Sequence, residues 1–121
     1  MESVQKRHAN QFTARECDLA ESVRRSIIEN GNGEIAPHCQ QAMRSDSGTP
    51  QDLRDSLNRG LIIEISRQDG AYRIVTRLER GTKAHCAVFS QCGTAVTYWV
   101  NGSSDKHSTL DLGKYSRQAF A

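Results

Sequence analysis

The sequence predicts an α+β domain, with N-terminal helices packed on one face of a four-stranded antiparallel β-meander. Three observations carry this. Apolar residues recur at spacings of three and four up to about residue 60, the period then changes to two, and the later segments are joined by short links that contain glycine. Links such as "SRQDG", "ERGTK" and "QCGT" specify hairpins, because a parallel crossover needs a dozen or more residues.

Residues 1–11 are polar and lack periodicity, so they read as a flexible arm ahead of a single domain over 12–121. Thr13 followed by Glu16 is a capping box, and Phe12 with Cys17 has the spacing of a hydrophobic staple. Leu19, Ala20, Val23 and Ile27 then share one face, with Arg15, Asp18, Arg25 and Glu29 turned outward. The spacing predicts a helix over 14–29, stopped by "NGNG" through left-handed glycines. Pro37 opens a second, short helix in "PHCQQAMR". Thr49, Pro50 and Asp52 start a third over 50–58, with Leu53 and Leu57 on its buried side and Gly60 at its end. The strands are "LIIEI", "AYRIVTRL", "AHCAVFS" and "AVTYWV". Tyr72, Ile74, Thr76 and Leu78 fall on one face of the second, and Arg73, Val75 and Arg77 on the other. Helices one and three cover the first of these faces.

The bulk numbers exclude several classes. The 121 residues carry 16 Lys and Arg against 14 Asp and Glu, a net charge of +2, so no global field draws the chain to nucleic acid or membrane and any basic site is local. No apolar run is long enough to span a bilayer and the N-terminus lacks a signal-peptide core, which predicts a cytoplasmic protein with no membrane partner. Cys17, Cys39, Cys86 and Cys92 form no C-x-x-C pair and read as free, mostly buried thiols, with neither disulfide nor metal, and no cofactor is implied.

The face left free by the helices is where a ligand fits. Arg73 and Arg77 lie on it two residue pairs apart, about 13 Å at strand rise, as a local anion clamp. The plainer account pairs them with Glu64 or Glu79 as surface charges. Among the histidines, His8 falls in the arm and His85 reads as a structural group within a strand. His38 at a helix start is placed for the neutral form of a general base. His107 follows the loop "NGSS" at the end of the last strand and suits proton transfer. Lys106 and Lys114 can hold phosphate there, while Ser108, Thr109 and Tyr115 can hydrogen-bond it. No glycine-rich phosphate loop, G-x-S-x-G or H-E-x-x-H motif is present. The inventory therefore fits metal-independent cleavage of RNA by its own 2′-OH.

From His38 to Val100, the run "PHCQQAMR", "TPQDLRDSLNRGLIIEI", "AYRIVTRL", "AHCAVFS" and "GTAVTYWVN" resembles small bacterial toxins of the RelE, barnase and colicin-RNase group. The resemblance implies a ribonuclease toxin, neutralised by a cognate antitoxin or immunity protein, with its active site on the open sheet face. It implies that His38, Arg73 or Arg77, Thr97, Tyr98, His107, Thr109 and Tyr115 line the cleft. The alternative is a non-enzymatic module, such as a phage- or plasmid-encoded inhibitor or an immunity protein, that grips one partner through Tyr72, Tyr98 and Trp99. A nucleic-acid regulator reading with "DLRDSLNRG" ranks last, because Asp52 and Asp55 oppose phosphate.

Overall fold

In the computed structural model, residues 4–102 and 115–120 are described. Three helices, α1 (Ala14–Asn30), α2 (Pro37–Ser45) and α3 (Pro50–Arg59), lie on one face of an antiparallel sheet. The sheet has five strands in sequence order, β1 (Gln5–His8), β2 (Leu61–Gln68), β3 (Ala71–Arg80), β4 (Lys83–Ser90) and β5 (Ala95–Gly102). The α+β arrangement agrees with the sequence reading; the strand count differs. Residues 5–8, inside the stretch read as an arm, pair antiparallel with Glu64–Arg67, and a 3₁₀ turn over Ala9–Gln11 leads into α1.

The reason lies beyond local pattern. Arg7 is 6% exposed, and its Nε donates to Glu16 Oε2 at 2.9 Å while its terminal nitrogens donate to the carbonyls of Gln11, Ser116 and Arg117. A buried charge is tolerated only with such partners. Glu16 completes the predicted capping box with Thr13 and also accepts the Phe120 N–H. It is 1% exposed. Cys17 faces solvent, so the staple is not formed with it; Phe12 packs on the core instead.

Every helix packs on the sheet, α1 against β2 and β3, α3 against β3 and β4, and α2, which the sequence reading left out of this layer, against β5. The core between the layers holds Val23, Ile27, Leu53, Ile65, Ile74 and Phe89. Two buried hydroxyls, Ser56 and Thr76, satisfy each other there at 2.9 Å. Arg24 caps the end of α3 by donating to the carbonyls of Leu57 and Gly60.

Helix α1 ends differently from the expectation. Gly31 has φ −66°, so no left-handed turn stops the helix there; Gly93 at φ +100° comes so close that a Cβ on it would stand 2.4 Å from the Gly31 Cα. The β4–β5 turn thus closes onto the helix end through two residues without side chains. The β2–β3 link is a two-residue turn, Asp69 at φ 54° and Gly70 at φ 77°, the signature of a type I′ hairpin. Cys39 and Cys86 are buried, whereas Cys17 and Cys92 are exposed, so two of the four thiols are buried where the sequence reading expected most of them to be. No helix among the described residues is long and apolar enough to cross a membrane.

Candidate functional site

Strand parity decides which residues share the face opposite the helices. Residues paired across strands point the same way. The pairings His8↔Glu64, Glu64↔Val75, Val75↔Val88 and Val88↔Thr97 form one row across all five strands. A second row runs Leu61, Arg77, Cys86, Trp99, and a third Lys6, Ser66, Arg73, Ser90. The three rows alternate with the helix-facing residues Ile65, Ile74, Thr76, Phe89 and Tyr98.

Glu64, which the sequence reading named only as a possible ion-pair partner of the arginines, belongs to this face. It is half-buried and lies opposite Val75, midway between Arg73 and Arg77 along β3. The two arginines therefore flank it diagonally, each about 7–8 Å away between Cα atoms. Tyr115 is 8% exposed and its hydroxyl is hydrogen-bonded to Glu64. Burial, and then that bond, push the phenol well above its ordinary pKa, so it stays protonated and donates. The Tyr115 ring packs edge-on against His8, with centroids 5.4 Å apart. His8, 5% exposed, accepts the Asn10 N–H on Nδ1, which leaves the neutral ring's proton on Nε2.

Arg77 is 7% exposed, and its Nη1 and Nη2 are buried without a hydrogen-bond partner among the described residues. Glu79 Oε1 stands 3.5 Å from Nη2, but Glu79 itself is largely in solvent, so it compensates the guanidinium weakly. Arg73 is exposed, at the edge of a groove of about 940 Å³ that is also lined by Lys6, Ser66, Ser90 and Cys92. The Cys92 thiol is brought down to about 7 by hydrogen bonding to Ser90 and Thr94. A smaller crevice of about 330 Å³ between α1 and α3 is lined mainly by apolar residues such as Ile27, Leu53, Leu57 and Phe89. Glu34 and Arg54 are the titratable groups on its lining.

The candidates read from sequence are divided by this geometry. Arg73, Arg77, Thr97 and Tyr115 are on the second face. Tyr98 is on the other, 1% exposed beneath α2, because adjacent strand residues cannot both face one cleft. Its hydroxyl meets His85 Nδ1 at 2.5 Å, and burial together with the charges of Asp52 and Asp46 pushes it up to about 12. His85 is thus structural, as its strand position suggested. His38 is exposed in the first turn of α2, in the helix layer, and cannot reach the second face. Lys106, His107, Ser108, Thr109 and Lys114 lie outside the described residues. The acids of α3 are engaged by the sheet: Arg80 pairs with both Asp52 and Asp55.

The described residues hold no group of three His, Cys, Asp or Glu arranged for a metal. The fold and this face define an α+β domain whose sheet carries, on the side opposite the helices, a carboxylate between two arginines. No family model, curated protein or solved structure matches the chain.

Proposed function

We propose that the second sheet face binds a phosphodiester of RNA and cleaves it by transesterification, as a toxin held in check by a cognate antitoxin or immunity protein. The observation that carries this reading is Arg77, a buried guanidinium whose two terminal nitrogens have no hydrogen-bond partner among the described residues, on one face with Arg73 and Glu64. A guanidinium in that state costs free energy that an anion recovers. Val75 and Arg77 are buried, so a phosphate reaching this row has to open the face, and it would then meet Arg77 on one side of Val75 and Arg73 on the other.

The chemistry then follows from the neighbours. Glu64 accepts the proton of the ribose 2′-OH, the 2′ oxygen attacks phosphorus, and the bond to the 5′ oxygen breaks to leave a 2′,3′-cyclic phosphate. The arginines stabilise the charge that develops on the non-bridging oxygens. Tyr115 is a positioning residue that holds the Glu64 carboxylate. The leaving 5′ oxygen takes a proton from the side opposite Glu64, and His107 is the donor the sequence offers. The substrate and the partner place such an enzyme in the cytoplasm.

The test is a labelled single-stranded RNA incubated with wild type, Arg77→Ala, Glu64→Gln and His107→Ala. Cyclic-phosphate fragments from wild type, reduced about 100-fold or more in each variant, are expected. Intact RNA with every protein would overturn the reading. It would leave the face as a protein-binding surface, which Leu61, 67% exposed beside Arg77, favours as the second reading. Growth arrest on induction separates the two in bacteria.

A further inference from the structure

The helix layer carries a site of its own, independent of the sheet face. We propose that the crevice between α1 and α3 binds a free apolar amino acid, with the side chain inside and the two charges of its α-carbon on the rim. The crevice has a volume of about 330 Å³, at the lower end of the range of small-molecule pockets, which suits a ligand of few atoms. Ile27, Leu53, Phe89 and Ala95 line it and belong to the buried core, so its depth is apolar. Ile28, also on the lining, is 48% exposed. An apolar group that displaces water from such a surface gains free energy.

The polar groups of the lining decide what that apolar group is attached to. Glu34 and Arg54 are its titratable residues, one acid and one base, the first from the link between α1 and α2 and the second from α3. Both are exposed, and neither takes part in an ion pair among the described residues. The backbone at Glu34 is held in place, since its N–H donates to Asn32 Oδ1 and its carbonyl accepts the Ala95 N–H. Arg54 donates from Nη2 to Gln51 within its own helix, which leaves Nε and Nη1 for a ligand.

A ligand seated in the crevice thus meets a negative and a positive group together. A fatty acid or an apolar amine satisfies one of them and is opposed by the other. A zwitterion satisfies both. In a free amino acid the ammonium and the carboxylate share the carbon that bears the side chain, so the ammonium donates to Glu34 while the carboxylate accepts from Arg54. A residue inside a peptide lacks both charges, and a terminal residue lacks one.

The experiment titrates the full-length, isotope-labelled protein with leucine and phenylalanine, and with glycine, N-acetyl-leucine and leucinamide as controls, and follows the amide resonances. Expected are saturable shifts confined to the crevice, at Ile28, Gly31, Leu57 and Gly93, with leucine or phenylalanine bound about five-fold or more tightly than every control. Glu34→Gln should weaken leucine about five-fold and abolish its advantage over N-acetyl-leucine, and Arg54→Gln should do the same for leucinamide. Both substitutions are at exposed positions, and the readout involves no RNA, so the result stands apart from that of the sheet face. No saturable shift with either amino acid up to ~10 mM would overturn the proposal. Controls bound as tightly as leucine would also overturn it, as would concentration-dependent shifts of the same amides without ligand, which would assign the crevice to a second copy of the chain.

Discussion

Arg7 and Glu16 form a buried ion pair, Nε to Oε2 at 2.9 Å, that joins the first strand to the first helix and, through backbone groups of Ser116, Arg117 and Phe120, to the end of the described chain. Removing one partner strands the other charge where water does not reach it. Arg7→Met is expected to lose ~3–5 kcal/mol of unfolding free energy, and Arg7→Met with Glu16→Leu to recover much of it. Urea titrations of the three proteins measure both.

The same carboxylate sets an acid limit. Burial alone would raise the Glu16 pKa, but hydrogen bonds from Arg7, Thr13 and Phe120 outweigh it and hold the group below its ordinary value. A lowered folded-state pKa contributes stability that is complete above the unfolded pKa and is lost as pH falls through the folded one. Wild type should therefore lose stability below about pH 4, the unfolded carboxylate range, more steeply than Glu16→Gln. Thermal midpoints between pH 7 and pH 2.5 decide it.

Tyr98 works in the opposite direction. Its phenol is pushed up to about 12, first by burial, so the folded state favours the neutral form. That contribution is full below the unfolded value near 10 and fades as pH rises toward 12. Absorbance of tyrosinate should show Tyr98 ionising late or only on unfolding, and Tyr98→Phe, which gives up the His85 bond, should cost ~1 kcal/mol at neutral pH.

Cys92 should be the first thiol to react. With its pKa near 7 through bonding to Ser90 and Thr94, a substantial fraction is thiolate at neutral pH. Iodoacetamide labelling followed by peptide mass analysis should modify Cys92 with a half-maximal rate near pH 7. Ser90→Ala should slow it several-fold at that pH, and Cys39 and Cys86 should stay protected until the protein unfolds.

The turn over the end of α1 allows a paired test. A Cβ on Gly93 meets the Gly31 Cα at 2.4 Å, whereas one on Gly33 meets nothing, though both glycines have positive φ. Gly33→Ala should cost ~1 kcal/mol for backbone strain alone, and Gly93→Ala considerably more, as read from denaturant midpoints.

What the sequence disclosed follows from the range of the forces involved. The capping box at Thr13, the cap at Thr49 and the hairpin links are local, and the structure has them where the spacing put them, with Asp52 completing a box at Thr49 as well. Strand β1 is four residues of mostly polar sequence, and its pairing partners at Glu64–Arg67 are more than fifty positions away. Nothing within "QKRH" announces that Arg7 will be buried. Glu64 was hidden by a register shift between Ile62 and Glu64, which breaks the simple alternation of "LIIEI" and turns the carboxylate to the second face. Arg73 and Arg77 lie on an uninterrupted stretch of β3, so their shared side could be counted from the sequence. Thr97 and Tyr98 could also have been separated by counting, since neighbours in a strand alternate.

The pairing of the two ends of the described chain bears on biosynthesis. Strand β1 leaves the ribosome about sixty residues before its sheet partner, and Ser116 and Phe120, which complete the hydrogen bonding of Arg7 and Glu16, emerge later still. A nascent chain still lacking that final stretch holds a carboxylate and a guanidinium with part of their partners missing. Completion of this fold thus waits until that stretch has emerged, and a stalled translation product ending before Ser116 should remain a ready substrate for cellular proteases.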